Sequence, residues 1–341
     1  MKLATSLLAL SIACVGSAQA EGVLNIYNWG NYTSPELITK FEDAYDVKVT
    51  ITDYDSNDTA LNKVRQGGHG FDIAVPSQNF VPIWIAEGLL LETNPGQMEN
   101  GHNIMPDWKD PVFDPGRKYS APWQWGTVGV VVNTDHYKGD INTWAIIFDT
   151  PEELKGKVNL IPEMNDVMYA AIHYVGGGMC SDDLEVLKKA RDVLIAAKPD
   201  WIAMEYGTID KMLAGDFVAT SDWNGSALRQ RLQNPAIAYG YPKEGFAYWS
   251  DNLVVLKDAA NAENAKLFQN FIMAPENAAM LSAFARYGNL ISGSEAFMPA
   301  DMVGAPELSV PEEFQSVAEF QVACAPATNE LYVKIWTELL K

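Results

Sequence analysis

The hydrophobic pattern of the first eighty residues switches repeatedly between two periods. Residues 23–29 (VLNIYNW) and 47–52 (VKVTIT) alternate with a period of two, which is typical of strands. Residues 34–45 (SPELITKFEDAY) begin with a Ser-Pro capping signal and carry an apolar stripe at helical spacing. A second helix over about 58–66 ends at a Gly-Gly pair, and 71–77 (FDIAVPS) predicts a third strand.

The same alternation resumes after residue 127. The predicted strands lie at 127–133 (TVGVVVN), 157–162 (KVNLIP), 215–223 (GDFVATSDW) and 245–256 (GFAYWSDNLVVL), with helices at 181–197 and on both sides of Ala274-Pro275. Short joins between strands and helices predict a parallel, doubly wound α/β sheet covered on both faces. A chain of 341 residues is long enough for two such lobes. In open α/β sheets, loops at the carboxyl ends of the strands line the ligand crevice, and ligands often bind between domains.

The N-terminal twenty residues predict export. They contain one Lys, an apolar run from Leu7 to Val15 and the sequence Ala18-Gln19-Ala20, which is the pattern of a secretory signal with a small-x-small cleavage site. The apolar run is too short to span a membrane. We therefore expect a signal peptide at 1–20 and a soluble periplasmic protein that begins at Glu21. Cys14 leaves a lipoprotein open as an alternative, although Ser11 is a poor lipobox residue.

Charge and cysteine content narrow the function only slightly. The chain has 24 Lys and Arg against 44 Asp and Glu, a formal net charge of −20. This charge repels nucleic acid and anionic lipid and concentrates cations, but it is equally explained by solubility. After processing, Cys180 and Cys324 remain, and the sequence leaves open whether they form a disulfide or two free buried thiols.

Aromatic and acidic residues recur where the predicted strands end. The candidate ligand-binding residues are Trp29, Tyr32, Ser77, Glu163, Asp166, Trp223, Trp249, Asp251 and Tyr287. Each alone has an ordinary explanation, because a lone Trp packs in the core and a lone acid near a helix start is a cap. Their joint placement, with no Lys or Arg at the key loop positions, suits an organic cation and suits an anion badly.

Asp251 is the hardest of these residues to explain structurally. It lies in the middle of a run that reads as a buried strand, and Trp249 leaves the strand on the same face. An unpaired interior carboxylate shifts its pKa or destabilises the fold. A carboxylate beside an indole becomes a good arrangement once a cation occupies the space between them.

Five segments together resemble the periplasmic spermidine/putrescine-binding proteins of polyamine ABC importers. They are IYNWGNY (26–32), GFDIAVPS (70–77), APWQWGTVGVVVN (121–133), SDWNGSA (221–227) and YWSDNLVV (248–255), and the resemblance runs from about residue 23 to the C-terminus. It implies a two-lobed periplasmic-binding-protein-like fold of type II, with doubly wound sheets joined by a two-strand hinge. Residues 21–127 with about 253–305 would form one lobe, and 128–252 with about 306–341 the other.

The resemblance also implies roles and partners. Trp29 and Tyr32 would flank the polyamine, Ser77 would make a polar contact, and Glu163 with Asp166 would hold one amine. Trp223 and Trp249 would sandwich the methylenes, Asp251 would hold another amine, and Tyr287 would add its hydroxyl or ring. The protein would be a monomer that delivers its ligand to an ABC permease in the inner membrane, with no cofactor, metal or nucleic acid.

Four positions depart from the family pattern. Gly30-Asn31 stands where an acid contact is common, Asn79 replaces an aromatic of spermidine binders, and Cys324 stands roughly where a Gln contact is expected. Ser226 occupies a position where putrescine-selective members often carry Asp. Together with Glu163 and Trp249, this resemblance favours spermidine over putrescine.

Two other classes of function are alternatives, an enzyme and a binding protein for another solute. Motifs for zinc proteases, serine hydrolases and phosphate-binding loops are missing, and the four histidines have no ligand spacing, so we expect no enzyme. Asp53, Asp55 and Asn57 have calcium-loop spacing, but the loop lacks its Gly and its final Glu, so a helix cap is favoured. A binding protein for another solute, such as a quaternary amine, a sugar or a metal, remains the alternative.

Overall fold

The computed structural model describes residues 22–341 of the chain. The predicted signal peptide and its cleavage site lie outside these residues. The strands are β1 (Gly22–Trp29), β2 (Val47–Tyr54), β3 (Ile73–Ala74), β4 (Ser120–Asn133), β5 (Val158–Leu160), β6 (Trp201–Met204), β7 (Ala219–Trp223), β8 (Ile237–Gly240), β9 (Phe246–Val255) and β10 (Ala318–Phe320). The helices are α1 (Pro35–Tyr45), α2 (Asn57–Arg65), α3 (Val81–Ala86), α4 (Ala145–Phe148), α5 (Met164–Tyr174), α6 (Leu184–Ala197), α7 (Thr208–Ala214), α8 (Asn224–Gln233), α9 (Ala262–Ile272), α10 (Pro275–Ala285) and α11 (Pro326–Leu339).

The strands form two parallel groups joined by antiparallel strands. The order is β2-β1-β3-β9-β4-β7-β5-β6, with β10 beside β9 and β8 beside β4. The β2-β1-β3 and β6-β5-β7 groups are parallel, as predicted, whereas β4 and β9 run antiparallel to each other and to the strands that flank them in this order. The sequence did not give the antiparallel direction of the two central strands, because a period of two marks a strand without giving its direction.

Two long strands connect the two groups. The first half of β4 pairs with β9, and its second half pairs with β7 and β8. The end of β9 pairs with β3, and its start pairs with β10. This arrangement agrees with the expected pair of connecting strands, while the predicted lobe boundaries within the chain stay a prediction.

Local signals account for most element starts. Ser34 and Ser56 cap α1 and α2 by accepting from Leu37 N and Thr59 N, which agrees with the cap interpretation of the calcium-like segment. The third strand is shorter than predicted, because only Ile73 and Ala74 pair with β1.

The structure also contains elements that the hydrophobic pattern did not predict. Strand β4 begins seven residues before the predicted strand at 127, and β6, α7, α8 and α11 were not predicted. No helix among residues 22–341 is long and apolar enough to cross a membrane.

The two cysteines left open by the sequence are joined. Cys180, in the loop after α5, forms a disulfide with Cys324, which lies between β10 and α11 and is 144 positions away. The bond ties the C-terminal segment to the layer that contains α5 and α6. The alternative of two free thiols is wrong.

Candidate ligand-binding cleft

A cleft of about 440 Å³ lies where the ends of β1, β3 and β7 approach β9. We call it the acidic cleft and define it by its lining: Trp29, Tyr32, Asn57, Ser77, Glu163, Asp166, Tyr206, Trp223, Trp249, Asp251, Tyr287 and Gln321. All nine sequence-predicted site residues are among these side chains, and their contact with a ligand remains a prediction.

Strand geometry places several of these side chains. Trp29 and Trp223 are the last residues of β1 and β7, where a parallel strand delivers its side chains to the edge of the sheet. Trp249 and Asp251 both face the acidic cleft, as the alternation along β9 requires. Ser77 follows β3 and forms an isolated antiparallel bridge with Asp251, which brings its hydroxyl to the carboxylate.

Asp251 is buried and has no cationic partner within residues 22–341. Its side chain is 4% exposed, and Oδ1 accepts a hydrogen bond of 2.7 Å from the Ser77 hydroxyl. Burial raises the pKa of Asp251 to about 7, against the opposing effect of the Ser77 and Tyr32 hydroxyls and with a smaller contribution from the charge of Asp166. This carboxylate therefore holds its negative charge at a cost that a bound cation would remove.

Glu163 immediately precedes α5 but does not cap it with its side chain. Oε2 instead accepts from Asn57 N at 3.2 Å, and Oε1 is buried with no hydrogen-bond partner among the described residues. Burial, followed by repulsion from Asp166 and Asp58, raises the pKa of Glu163 well above its usual range. Glu163 therefore occupies the N-cap position of α5, but its side chain does not make the hydrogen bond that a capping residue makes.

Asp166 lies in the first turn of α5 and is held by two donors. Trp223 Nε1 donates to Oδ2 at 3.0 Å, and Gln321 Nε2 donates to Oδ1 at 2.8 Å. Burial raises the pKa of Asp166 to about 6, even though both of these hydrogen bonds lower it. A carboxylate in the first turn of a helix is normally stabilised in its charged form, so desolvation outweighs the helix dipole here.

The lining of the acidic cleft contains three carboxylates and neither Lys nor Arg. Among residues 22–341, none of the salt bridges involves Glu163, Asp166 or Asp251. Buried charges are normally paired, because removing an ion from water costs several kcal/mol. The negative charge of the acidic cleft is thus not compensated by the protein, and the cleft is complementary to a positively charged ligand.

Aromatic rings form two walls around the carboxylates. On one side Trp29 lies 6.2 Å from Trp223 and 6.4 Å from Tyr206, measured between ring centroids. On the other side Tyr287 meets Trp249 edge-on at 5.1 Å and Tyr32 at 5.5 Å. Ring faces attract cations and pack well against methylene groups.

Three lining residues were missed by the sequence analysis. Asn57 links the acids, because it donates from N to Glu163 and from Nδ2 to Ser77 Oγ at 3.0 Å. Tyr206 donates its hydroxyl to Gly30 O at 3.1 Å and so packs over the loop after β1. Asn57 follows β2 closely, which was an available signal, whereas nothing local marks Tyr206 or Gln321.

The four departures from the family pattern have structural outcomes. Gln321 lines the acidic cleft, whereas Cys324, three residues further along, is used in the disulfide and does not line it. A Gln contact with the ligand in this part of the chain stays a prediction. Ser226 donates to Asp222 Oδ2 at 3.0 Å and does not line the acidic cleft. Asn79 does not line the acidic cleft either, and lines a neighbouring cavity instead. Gly30 and Asn31 form the turn beneath Tyr206.

The chain matches a known protein family over most of its length. The family model described as bacterial extracellular solute-binding protein matches residues 36–308. The chain belongs to this solute-binding family. The prediction that it is an extracytoplasmic, periplasmic solute-binding protein is confirmed. The family consists of transport proteins that bind solutes, which agrees with the expectation of a solute-binding protein.

Relatives within the solute-binding family extend over most of the chain. The spermidine/putrescine-binding periplasmic protein of Escherichia coli is 30% identical over 80% of this chain and 79% of its own length. The putrescine-binding periplasmic protein SpuD of Pseudomonas aeruginosa is 29% identical over 83% of each chain. The solved structure of a putative spermidine/putrescine ABC transporter from Listeria monocytogenes aligns with a TM-score of 0.87 and 30% identity, over 93% of this chain and 98% of that one. The fold is therefore the type II periplasmic binding fold that the resemblance implied.

Proposed function

We propose that this protein captures a polyamine in the acidic cleft, with spermidine preferred over putrescine, and delivers it to an ABC permease in the inner membrane. The single observation that carries the proposal is the set of three buried carboxylates, Glu163, Asp166 and Asp251, between aromatic walls without a Lys or Arg in the lining. The polyamine ligands named for its relatives support the same class of solute.

The charge of a polyamine matches this arrangement. Alkyl amines resemble lysine, whose pKa is about 10.4, so their nitrogens are protonated at neutral pH. Each terminal ammonium carries three donors, which suits the partnerless Oε1 of Glu163 and the free lone pairs of Asp251. Glu163 and Asp166 together would hold one amine, and Asp251 would hold another. The preference for spermidine rests on the resemblance at Glu163, Ser226 and Trp249.

Other solutes fit less well. A neutral sugar would leave three buried carboxylates without charge compensation, at a cost of several kcal/mol. A quaternary amine has no N–H donors and a single charge, so it satisfies at most one of the acids. Cation–π contacts add about 0.5–2 kcal/mol each, whereas micromolar binding needs about 8 kcal/mol in total, so several anchors must act together.

We further propose that residues 21–127 with about 253–305 move as one lobe, and 128–252 with about 306–341 as the other. Ser77 and Glu163 would then belong to different lobes, and Asn57 would connect them. All three cleft carboxylates lie in the second of these lobes. Ligand would favour the closed form because that form brings Tyr32 and Ser77 of the first lobe onto an amine chain held by these acids. The protein would act as a monomer.

A thermal-shift screen tests the proposal directly. The panel contains spermidine, putrescine, cadaverine, choline, betaine and several sugars, and calorimetry gives the affinity of each hit. We expect spermidine to raise the melting temperature most and to bind at micromolar affinity or tighter. A larger shift with choline, betaine or a sugar, or no shift with any polyamine, would refute the proposal.

A further inference from the structure

The segment 318–324 runs along one face of α5. Gln321 donates to Asp166, and Glu319 Oε2 lies 3.5 Å from the Tyr169 hydroxyl and 3.6 Å from His173 Nε2. Asp166, Tyr169 and His173 are spaced by three and four residues, so they share one helix face. The segment therefore contacts α5 from the turn that carries the cleft acid to the turn at its far end.

The disulfide anchors this segment beyond the end of α5. Cys324 bonds to Cys180 in the loop that follows the helix, and the Cα atoms are 5.2 Å apart. Upstream, β10 pairs with β9, and Gln321 N donates to Tyr248 O at 3.0 Å. Cross-links of this kind reduce the conformational freedom of the chain they close, so the backbone of Gln321 is fixed from both sides.

Gln78 supplies the third attachment. Its side chain is 1% exposed, Nε2 donates to Gln321 O at 2.9 Å, and Oε1 accepts from Ser250 N at 2.8 Å. Gln78 follows Ser77 and does not line the acidic cleft. It thus joins the loop after β3, strand β9 and the C-terminal segment at one buried point.

We infer that the Cys180–Cys324 disulfide and Gln78 are positioning elements, which hold segment 318–324 so that Gln321 orients the Asp166 carboxylate toward the acidic cleft. Ligand affinity then depends on the oxidation state of two cysteines that touch no ligand. The consequence for affinity rests on the proposed function, whereas the effect on Asp166 does not. Loss of either element leaves Asp166 with Trp223 as its remaining side-chain donor.

The experiment compares wild type, the double variant C180S/C324S, and Gln78→Met, which keeps the length of the side chain and removes its hydrogen bonds. Calorimetry with spermidine is expected to give about tenfold weaker binding for each, the size of one lost hydrogen bond to a charged group. Each change is then repeated in an Asp166→Asn background. In the Asp166→Asn background, each change should weaken spermidine binding by less than about threefold relative to Asp166→Asn alone. The reason is that changes at residues acting through the same group are not additive.

A second readout needs no ligand. Trp223 Nε1 donates to Asp166, so in ¹⁵N-tryptophan-labelled protein its indole N–H resonance reports the carboxylate position. It is expected to shift in C180S/C324S, in Gln78→Met and in wild type treated with reductant. It should not shift in Arg191→Gln, which removes a surface contact with Glu338 between α6 and α11.

Two results would overturn the inference. One is an unshifted Trp223 resonance in both variants, and the other is an equal loss of affinity in the wild-type and Asp166→Asn backgrounds, which indicates a general structural role. If wild type binds no polyamine, the proposed function fails, and the indole readout still decides the positioning role.

Discussion

The substitution Asp251→Asn tests the charge of the acidic cleft with a minimal change of shape. The amide retains the size of the side chain and an acceptor for the Ser77 hydroxyl, which donates to Oδ1 at 2.7 Å in the wild type. It removes one negative charge from a side chain that is 4% exposed. The aromatic walls, Glu163 and Asp166 are left in place.

The expected loss follows from this burial. Removing one member of a buried, hydrogen-bonded charge pair costs about 2–5 kcal/mol of binding. The pKa of Asp251 is raised to about 7, so at pH 8 this carboxyl group is ionised in most wild-type molecules. Little of the binding free energy is then used to remove its proton. We therefore expect a loss of about 2–4 kcal/mol at pH 8, which is about 30- to 1,000-fold in Kd.

The dependence on pH provides a further signature. A proton on Asp251 competes with the ligand ammonium, so wild-type affinity should fall as pH decreases from 8 through 7 to 6. The variant lacks this group and should show a shallower decrease, although Asp166, with a pKa of about 6, still contributes. The two affinities should approach each other as pH falls.

Isothermal calorimetry with spermidine at pH 6, 7 and 8 measures both effects. Glu307→Gln is the matched control, because Glu307 is 1% exposed, pairs with Arg231 and does not line the acidic cleft. The control makes the same change of charge and should leave Kd within about twofold of wild type. Equal affinity of wild type and Asp251→Asn at pH 8 would show that this carboxylate holds no ligand cation, and the reasoning about the acidic cleft would be wrong.

Four further outcomes are expected. In ligand-free protein the pKa of Asp251 rises from 3.8 to about 7, so folded protein binds more protons than unfolded protein between these values. Asp251→Asn should therefore melt increasingly above wild type as pH rises from 4 to 7; a constant difference would contradict this. Trp223→Phe keeps an aromatic face but loses the donor to Asp166, so calorimetry should show about three- to tenfold weaker spermidine binding, and unchanged affinity would exclude a role for that hydrogen bond. A Cβ on Gly225 would lie 2.4 Å from the Tyr287 ring, whereas one on Gly178 meets nothing within 4 Å, so Gly225→Ala should weaken binding and Gly178→Ala should not. If the charge of −20 attracts the ligand, stopped-flow association should slow with added salt while dissociation changes little; a salt-independent rate would assign the acidity to solubility.

Local pattern predicted those parts of the fold that local interactions specify. Strand β1 and helix α1 follow from a two-residue alternation and from Ser34, whose hydroxyl caps the helix. The early start of β4 was missed, because residues 120–126 (SAPWQWG) contain Pro122 and Gly126 and no β-branched residue, a composition that is unusual for a strand. The direction of β4 and β9 depends on which strands they meet, and sequence alternation carries no such information.

In the acidic cleft, too, some residues could be recognised from the sequence and others could not. Asp251 was recognisable from the sequence because a charge in a buried run is costly wherever the run lies. Gln321 was not recognisable, since a polar residue in a loop acquires a role only from what approaches it, and the only signal for Asn57 was its position soon after β2. Asn57 comes within 3.2 Å of Glu163, which is 106 positions away, and Gln321 comes within 2.8 Å of Asp166, which is 155 positions away.

By itself, the sequence determined the kind of element where its periodicity was clear and the chemical class of the side chains at the strand ends, because these depend on residue type and short-range periodicity. Only the tertiary structure decided that Cys180 pairs with Cys324, that β4 and β9 cross between the two halves of the sheet, and that Gln321 rather than Cys324 reaches the acidic cleft. These features are contacts between residues far apart in the chain. They are fixed by the packing of whole elements, which no local pattern encodes.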